Sequence, residues 1–470
     1  MNLSFRKSTR IVLMFLAGVA ALLWFGNNPT DNIEFFEPEN IATSPTITQE
    51  GILSILYSSN QALDTVERLV LLTSADGTLY EVKTTADILP LNGDDVIIRG
   101  TILDADPTST DDALIIQADS IEPLQADVAF NNNDVEGNQK WVNIACRFSD
   151  IEEEPQPRAY FQDIMTNQAP GMDHYWRQSS AGKVNIEGSE AYGWYTFPND
   201  KNYYERAAAV NVGFALRTML THCAQAAVEA DEVDFTKFAG INVMLNDTFG
   251  CCAWGGRMPL NINGKLVTFR TTWLPPWAFT SLHVIAHEMG HGWGLPHSSG
   301  PYGKVYDSAW DVMSGGTRML DFCRIGMEDY GCFQVGTIGI HLDSLGWLPD
   351  NRVQVVDSGQ TMIATVDALT TIRDGMSVLL IKVPVDGSKF YTIEVRNFVG
   401  YDRNLPGEAV VIHEVVPGRE SPAHVVDADN NGNPNDEGAM WLPGEVFERD
   451  GIKVTVLSRL GTTFTVKVEN

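Results

Sequence analysis

Short apolar runs alternate with polar and turn-forming residues between Gly51 and Leu124. Leucine, isoleucine and valine recur there in short stretches, and dipeptides such as Asp76-Gly77 separate them. Alternation with a period of about two residues is typical of strands that bury one face. The pattern predicts a small β-barrel domain over residues 45–125 and a polar linker over residues 126–139.

Helical and strand patterns are mixed in the middle of the chain, over residues 140–350. Residues 203–230 have the composition of one long helix, and the apolar segments 241–245 and 266–270 are typical of buried strands. Either strand could be the sheet edge that pairs with an extended peptide. The last part of the chain returns to apolar runs at strand spacing, which predicts a β-sandwich domain over residues 351–470.

Composition narrows the class of protein. The chain has 470 residues, enough for several domains, and its hydrophobic content of 44% is ample for buried cores. It carries 32 basic and 61 acidic residues, a formal net charge of −29. Such acidity argues against a nucleic-acid partner, which would need a basic face.

The amino terminus predicts export. Arg6, Lys7 and Arg10 precede an apolar run over residues 11–25, which is the order of the n- and h-regions of a secretory signal. The run is short for a membrane-spanning helix, yet no clear small-residue cleavage site follows it. A cleaved signal peptide and a retained membrane anchor both stay open for residues 1–30. A membrane is a partner only in the second case, and either case predicts a secreted, periplasmic or cell-surface protein.

The cysteines agree with export. There are six, and all lie in the middle of the chain: Cys146, Cys223, Cys251, Cys252, Cys323 and Cys332. An even number in an exported chain predicts disulfide bonds. Cys323 and Cys332 could close a short loop, whereas the adjacent Cys251 and Cys252 are expected to pair with distant partners. Because no cysteine precedes Cys146, no thiol of the amino-terminal region can bind a metal farther along the chain.

One segment carries most of the chemistry. The sequence HEMGHGWGLPH begins at His287 and ends at His297. On a helix of 3.6 residues per turn, His287 and His291 lie one turn apart on one face, so both imidazoles can bind one Zn²⁺ ion. Gly294 would end the helix and let His297 supply a third ligand, leaving one coordination position open. Glu288 is placed to act as the general base toward a metal-activated water molecule.

A second element follows shortly after the motif. Met313 lies in a glycine-flanked turn within YDSAWDVMSGG, residues 306–316. Together the elongated zinc motif and this turn resemble the metzincin clan of zinc peptidases, in which a methionine lies beneath the metal. The resemblance implies this Met-turn role for Met313, which alone would be an ordinary core methionine. Tyr302 and Tyr306 are candidates for an oxyanion-stabilising hydroxyl, with aromatic packing as the alternative for both.

The resemblance extends over about residues 138–416. Segments 141–150, 173–184 and 193–198 are similar in order to elements of secreted peptidases of the gametolysin and immune-inhibitor-A types. The gametolysin type fits better, because the third predicted ligand, His297, is a histidine within the extended motif. The implied fold class is multidomain α+β, with a metzincin-like catalytic domain between an amino-terminal OB-like barrel and a carboxy-terminal β-sandwich.

These features predict an exported zinc-dependent endopeptidase that acts on protein or peptide substrates. One alternative is a binding or adhesion protein with a structural zinc site, and another is a zinc hydrolase that cleaves a non-peptide bond. Glu288 argues against the first alternative, because a structural site needs no general base and fills its fourth position. The motif alone does not exclude the second.

A further metal site is suggested near the carboxy terminus. Asp427, Asp429 and Asn431 lie at alternate positions in the sequence DADNNG, which fits the first half of a calcium-binding loop. Position twelve of that loop is Gly438 instead of glutamate. A Ca²⁺ site and a solvated acidic turn are therefore both open interpretations.

Overall fold

The computed structural model of the protein describes residues 45–60, 65, 67–103, 114–124, 135–315, 323–327, 331–372 and 375–470. The predicted signal or anchor over residues 1–30 lies outside these ranges, as does most of the predicted linker over residues 126–139. Among the helices within the described ranges, none has both the length and the apolar character needed to cross a bilayer.

The amino-terminal domain is a closed five-stranded barrel. Its strands are β1 (Thr46–Asn60), β2 (Arg68–Thr73), β3 (Leu79–Lys83), β4 (Asp95–Leu103) and β5 (Leu114–Pro123). The strand order is β2-β3-β5-β4-β1, and β1 also pairs with β2, which closes the sheet. Alternate apolar side chains fill the interior, among them Leu53, Ile55, Val96, Ile98 and Ile116. The predicted small β-barrel is thereby confirmed.

The middle of the chain forms a mixed layer of sheet and helices. Its strands are β6 (Gly137–Asn138), β7 (Trp141–Arg147), β8 (Val184–Asn185), β9 (Glu190–Thr196), β10 (Gly240–Leu245), β11 (Cys252–Ile262), β12 (Lys265–Leu274), β13 (Ser298–Ser299), β14 (Gly326–Met327) and β15 (Gly331–Cys332). Its helices are α1 (Arg158–Asp163), α2 (Met172–Ser179), α3 (Lys201–Val210), α4 (Val212–Asp231), α5 (Pro276–Phe279), α6 (Leu282–Trp293) and α7 (Gly339–Ser344).

The barrel and the middle layer share one ten-stranded sheet. Its order continues from β1 through β11-β12-β10-β7-β9. Strands β9, β7, β10 and β12 run parallel, while β11 is antiparallel to both β12 and β1. The expectation that β10 or β12 would form a sheet edge is wrong, because each lies between two partners. Without the barrel, β11 would be the edge strand of this part of the sheet. In the full chain, β1 pairs with the free side of β11.

Two helices occupy the region where one was predicted, over residues 203–230. Asn211 separates α3 from α4 with an extended backbone, φ −154° and ψ 116°. Its side-chain oxygen accepts a hydrogen bond from the backbone N–H of Phe214 at 2.8 Å. An asparagine in this conformation caps the start of a new helix by satisfying one of its unpaired N–H groups. The single-helix prediction is therefore wrong at this position.

The carboxy-terminal domain consists of two sheets around one core. Its strands are β16 (Val353–Val355), β17 (Thr361–Asp367), β18 (Leu380–Pro384), β19 (Phe390–Arg396), β20 (Ala409–Val415), β21 (Ala423–Val425), β22 (Val446–Arg449), β23 (Ile452–Leu460) and β24 (Thr463–Glu469). One sheet has the order β13-β21-β20-β19-β18-β16, and the other has the order β17-β24-β23-β22. Ile393 and Ile412 from the first sheet share a buried cluster with Val454 and Phe464 from the second.

The carboxy-terminal domain is packed on the middle of the chain. Strand β13, which directly follows His297, pairs in parallel with β21. The indole N–H of Trp310 donates to Pro434 O at 3.1 Å, and Arg396 Nη1 donates to Trp310 O at 2.7 Å. The loop that carries the third predicted ligand is thus held between the two domains.

The cysteines lie in three disulfide pairs. Cys146 on β7 pairs with Cys223 on α4, and Cys323 pairs with Cys332 as predicted. The expectation of distant partners for Cys251 and Cys252 is wrong, since these two neighbours pair with each other. Three such pairs indicate an oxidising environment of the kind found outside the cell.

Candidate metal centre

Helix α6 and the turn after it present the three predicted ligands. His287 and His291 lie one turn apart on the helix, and Gly294 ends it with a left-handed φ of 109°. The Gly294 N–H donates to His291 O at 3.0 Å, and the Leu295 N–H donates to Gly290 O at 3.0 Å. A glycine is favoured at this position because side chains rarely tolerate positive φ. The reversal brings the chain back so that His297 faces the other two histidines.

The three imidazoles converge on one point. His291 Nε2 lies 3.1 Å from His287 Nε2 and 3.1 Å from His297 Nε2. All three side chains are buried, with at most 3% of their surface exposed. Their nitrogens lie within 4.8 Å of one another, so this group could hold a metal ion.

Hydrogen bonds to the backbone orient two of the ligands. His287 Nδ1 lies 2.6 Å from Val312 O, and His291 Nδ1 lies 2.8 Å from Leu295 O. Because a carbonyl oxygen can only accept, each Nδ1 carries the proton and each Nε2 presents a lone pair to the centre. Two lone pairs 3.1 Å apart repel each other unless a cation lies between them.

Burial favours the neutral form that a metal requires. It lowers the pKa of His291 well below the usual value, and the neighbouring His297 and His287 lower it further. Burial likewise lowers the pKa of His297, and His287 adds to this effect. Neutral imidazoles are the form that binds metal ions.

Met313 lies directly beneath helix α6. A Cβ built on Gly290, between the two helical ligands, would lie 2.4 Å from Met313 Sδ. Met313 is fully buried, and its carbonyl accepts a hydrogen bond from the Ser298 N–H at 3.1 Å. The turn that contains Met313 is therefore joined to both the helix and the strand after His297.

Glu288 lies on α6 below strand β11 and is fully buried. A Cβ built on Gly255 of β11 would lie 2.4 Å from Glu288 O and 2.9 Å from Glu288 Oε2. Only a glycine allows the strand and the helix to approach so closely. The β11 backbone thus passes directly over the predicted general base.

Two tyrosines contact the histidines. Tyr57 of β1 stacks on His291, with ring centroids 4.5 Å apart and an interplanar angle of 19°. Tyr306 packs edge-on against His297 at 5.3 Å, and its hydroxyl donates to Ser58 O at 2.7 Å. Tyr306, a candidate for an oxyanion-stabilising hydroxyl or for aromatic packing, thus lies beside the histidines. No feature of the sequence indicates Tyr57, because only the pairing of distant strands brings it here.

Asp311 fixes the strand that follows His297. This buried carboxylate accepts hydrogen bonds from Ser298 Oγ at 2.6 Å and from Thr337 Oγ1 at 2.8 Å, and it lies 3.0 Å from His341 Nδ1. Burial alone would raise the pKa of Asp311, but His341 and the two hydroxyls hold it well below its usual range. No sequence motif pointed to Asp311, since its partners are spread along the chain.

The predicted calcium residues lie in a separate loop. Carboxylate oxygens of Asp427, Asp429 and Asp436 lie within 4.8 Å of one another. Asn431 donates its amide hydrogens to Asp429 at 2.9 Å and to Asp436 at 2.8 Å. Tyr302 directs its hydroxyl to Asp427 and not to the histidines. The structure therefore adds Asp436, which is acidic but falls outside the alternating pattern of the loop.

Comparisons of the chain with protein-family models, with curated protein sequences and with solved structures gave no match.

Proposed function

We propose that the protein is a zinc-dependent endopeptidase of the metzincin type. The observation that carries the proposal is the convergence of three buried imidazoles, two of which lie on the same helix as Glu288. The fold also supports the proposal. Beside α6 lies a sheet in which β10 and β12 are parallel, and the next strand, β11, is antiparallel to β12. The three disulfide pairs and the basic-apolar amino-terminal sequence support export.

The donor set fits Zn²⁺. Two nitrogens bound at about 2.05 Å to a tetrahedral ion lie about 3.3 Å apart, close to the spacing between the Nε2 atoms. His287, His291 and His297 would hold the ion. Three protein ligands are the usual number for catalytic zinc, whereas structural zinc normally has four.

The protein groups would divide the chemistry as follows. Zn²⁺ would act as a Lewis acid toward the scissile carbonyl. Glu288 would take a proton from the attacking water and pass it to the leaving amine nitrogen. Val312 O and Leu295 O would keep His287 and His291 oriented throughout, because they accept the Nδ1 protons.

Metal analysis and substrate profiling test this proposal together. The purified protein is expected to contain one zinc per chain. In a form whose centre is accessible it is expected to cleave members of a diverse peptide library, with cleavage lost after chelation and restored by zinc. Stoichiometric zinc without cleavage of any peptide, in a form whose centre is accessible, would contradict the peptidase proposal. Stoichiometric iron or calcium at the histidines would contradict the assignment of zinc.

A further inference from the structure

Strand β11 has the position of a substrate-binding edge. One side of it pairs with β12, and its backbone at Gly255 passes over Glu288. An unpaired strand edge offers a row of N–H and C=O groups, and extended peptides bind proteins by pairing with such edges. A peptide bound along β11 would therefore run across the metal centre.

The chain itself fills this edge. The last residues of β1 pair antiparallel with β11, so that Tyr57 lies opposite Gly255 and Ser58 opposite Trp254. The strand that pairs with this edge beside the candidate general base is thus part of the amino-terminal domain.

Contacts of Tyr57 and Tyr306 hold the end of β1 over the histidines. The Tyr57 ring covers His291 at 4.5 Å and meets His297 edge-on at 5.3 Å. Tyr306 donates its hydroxyl to Ser58 O, as a hydroxyl in an active site would donate to the carbonyl of a bound peptide. With β1 in place, Glu288 and the three histidines are all buried, so an external polypeptide cannot reach them.

The rest of the barrel keeps β1 at the edge. Tyr57 also pairs with Arg68 of β2, so the segment is one strand of a closed barrel. Leu71 of the barrel packs against Gly213 of α4, and Arg217 Nη1 donates to Gly77 O at 2.7 Å. These contacts lie on α4, away from the histidines, and hold the whole domain against the catalytic region.

From this geometry we infer that β1 is an intramolecular occupant of the peptide-binding edge and that the barrel keeps the metal centre latent until it withdraws. The inference rests on the proposed peptidase function, because it identifies β11 as the substrate edge.

The test releases the barrel from the zinc-loaded full-length chain. A cleavage site for a specific protease is placed in the sequence between Leu124 and Val135, and Arg217→Ala weakens the docking contact without touching the centre. Three quantities are compared before and after cutting: hydrolysis of a long peptide, zinc extraction by dipicolinate, and hydrogen exchange of the β11 amides. Size-exclusion chromatography verifies that the barrel has separated.

Release of the barrel should increase peptide hydrolysis, zinc extraction and hydrogen exchange of the β11 amides. If β1 leaves the edge in about 1% of intact molecules, separation raises peptide affinity and zinc extraction by about 100-fold. Faster zinc extraction and deprotected β11 amides without peptide cleavage would uphold the covering role of β1 and refute the peptidase proposal. The inference is overturned if β11 amides stay protected after separation, or if intact protein cleaves the peptide as fast as the released form.

A point variant in the uncut chain provides an independent test. Tyr57→Ala removes the ring from His291 and should speed zinc extraction and deprotect β11, whereas Tyr57→Phe keeps the ring and should preserve most of the protection. Tyr80→Ala is the matched control, because Tyr80 lies on β3 of the same barrel and contacts Gln49 instead of the histidines. Equal acceleration by Tyr57→Ala and Tyr80→Ala would contradict the specific role of Tyr57.

Discussion

Gly290 packs against the sulfur of Met313 so closely that a Cβ at position 290 would lie 2.4 Å from Sδ. Gly290 stands between His287 and His291, so the contact sets the distance between helix α6 and the turn beneath it. A side chain at this position would have to displace the turn, because both partners are fully buried.

Gly290→Ala should therefore loosen the centre even though alanine favours helices. Overpacking of a buried contact costs about 1–3 kcal/mol, which outweighs the helix-propensity gain of about 1 kcal/mol. Chemical denaturation and zinc retention during dialysis check the two effects. Gly387→Ala is the control, because nothing lies within 4 Å of a Cβ built there. Equal stability of both variants would contradict the role of this contact.

Glu288→Ala should leave zinc content and folding intact while it abolishes most turnover. A general base contributes about 10²–10⁴-fold to a rate, so kcat should fall by a factor in that range. The measurement requires the form with the barrel released, since Glu288 is covered in the intact chain. Zinc-loaded Glu288→Ala that cleaves peptides at the wild-type rate would exclude Glu288 as the base.

Arg396→Met should destabilise the junction between the carboxy-terminal domain and the Met313 turn. The fully buried guanidinium contacts Asp402 at 2.9 Å, Glu394 at 3.2 Å and Trp310 O at 2.7 Å. Removing one member of a buried ionic cluster costs about 3–5 kcal/mol, because the remaining charges lose their partner.

Urea denaturation measures that loss, and Arg459→Met is the control. Arg459 contacts Glu408 at 2.8 Å on the surface, where both side chains are about a third exposed. Such a pair contributes only about 0–1 kcal/mol. A fully soluble and stable fragment ending near Asp350 would contradict the idea that the two domains depend on each other.

Calcium should stabilise the carboxy-terminal loop if its carboxylates bind the ion. Burial raises the pKa of Asp427, and its neighbour Asp429 also raises it, so a bound cation would relieve this repulsion. An ion that binds only the folded state raises the melting temperature, by about 2–4 °C for each kcal/mol of binding energy. The rise should vanish in Asp427→Ala plus Asp429→Ala and persist in the control Glu152→Ala plus Glu153→Ala. If millimolar calcium leaves the melting temperature of the wild type unchanged, the loop is a solvated turn and not a calcium site.

His424 should make stability fall in acid. Burial, followed by the nearby Arg419, lowers its pKa from 6.5 to about 4 in the folded protein. As the pH falls below 6.5, His424 is therefore protonated in the unfolded chain before it is protonated in the folded protein. The free energy of unfolding decreases until the pH reaches about 4. The loss should amount to about 1–2 kcal/mol, and His424→Gln should flatten the difference in unfolding free energy between pH 7 and pH 5. An unchanged pH slope in the variant would contradict this assignment.

Local spacing was sufficient to predict the parts of the protein that depend on neighbours in the chain. The pitch of one helix relates His287, Glu288 and His291, and the backbone freedom of Gly294 allows the helix to end there. The motif therefore predicted the convergence of the histidines. The alternation of apolar residues likewise predicted the barrel, because a strand has a period of two whatever it pairs with.

Tertiary structure decided what covers the centre. Tyr306 and Ser58, which share a hydrogen bond, are 248 positions apart, and Tyr57 reaches His291 only through the register of β1 on β11. Register and domain docking are set by the summed packing of many residues, so they leave no signal in any short segment. The sequence alone therefore determined which side chains could bind a metal, and the packing of the barrel on β11 decided whether those side chains can be reached from outside.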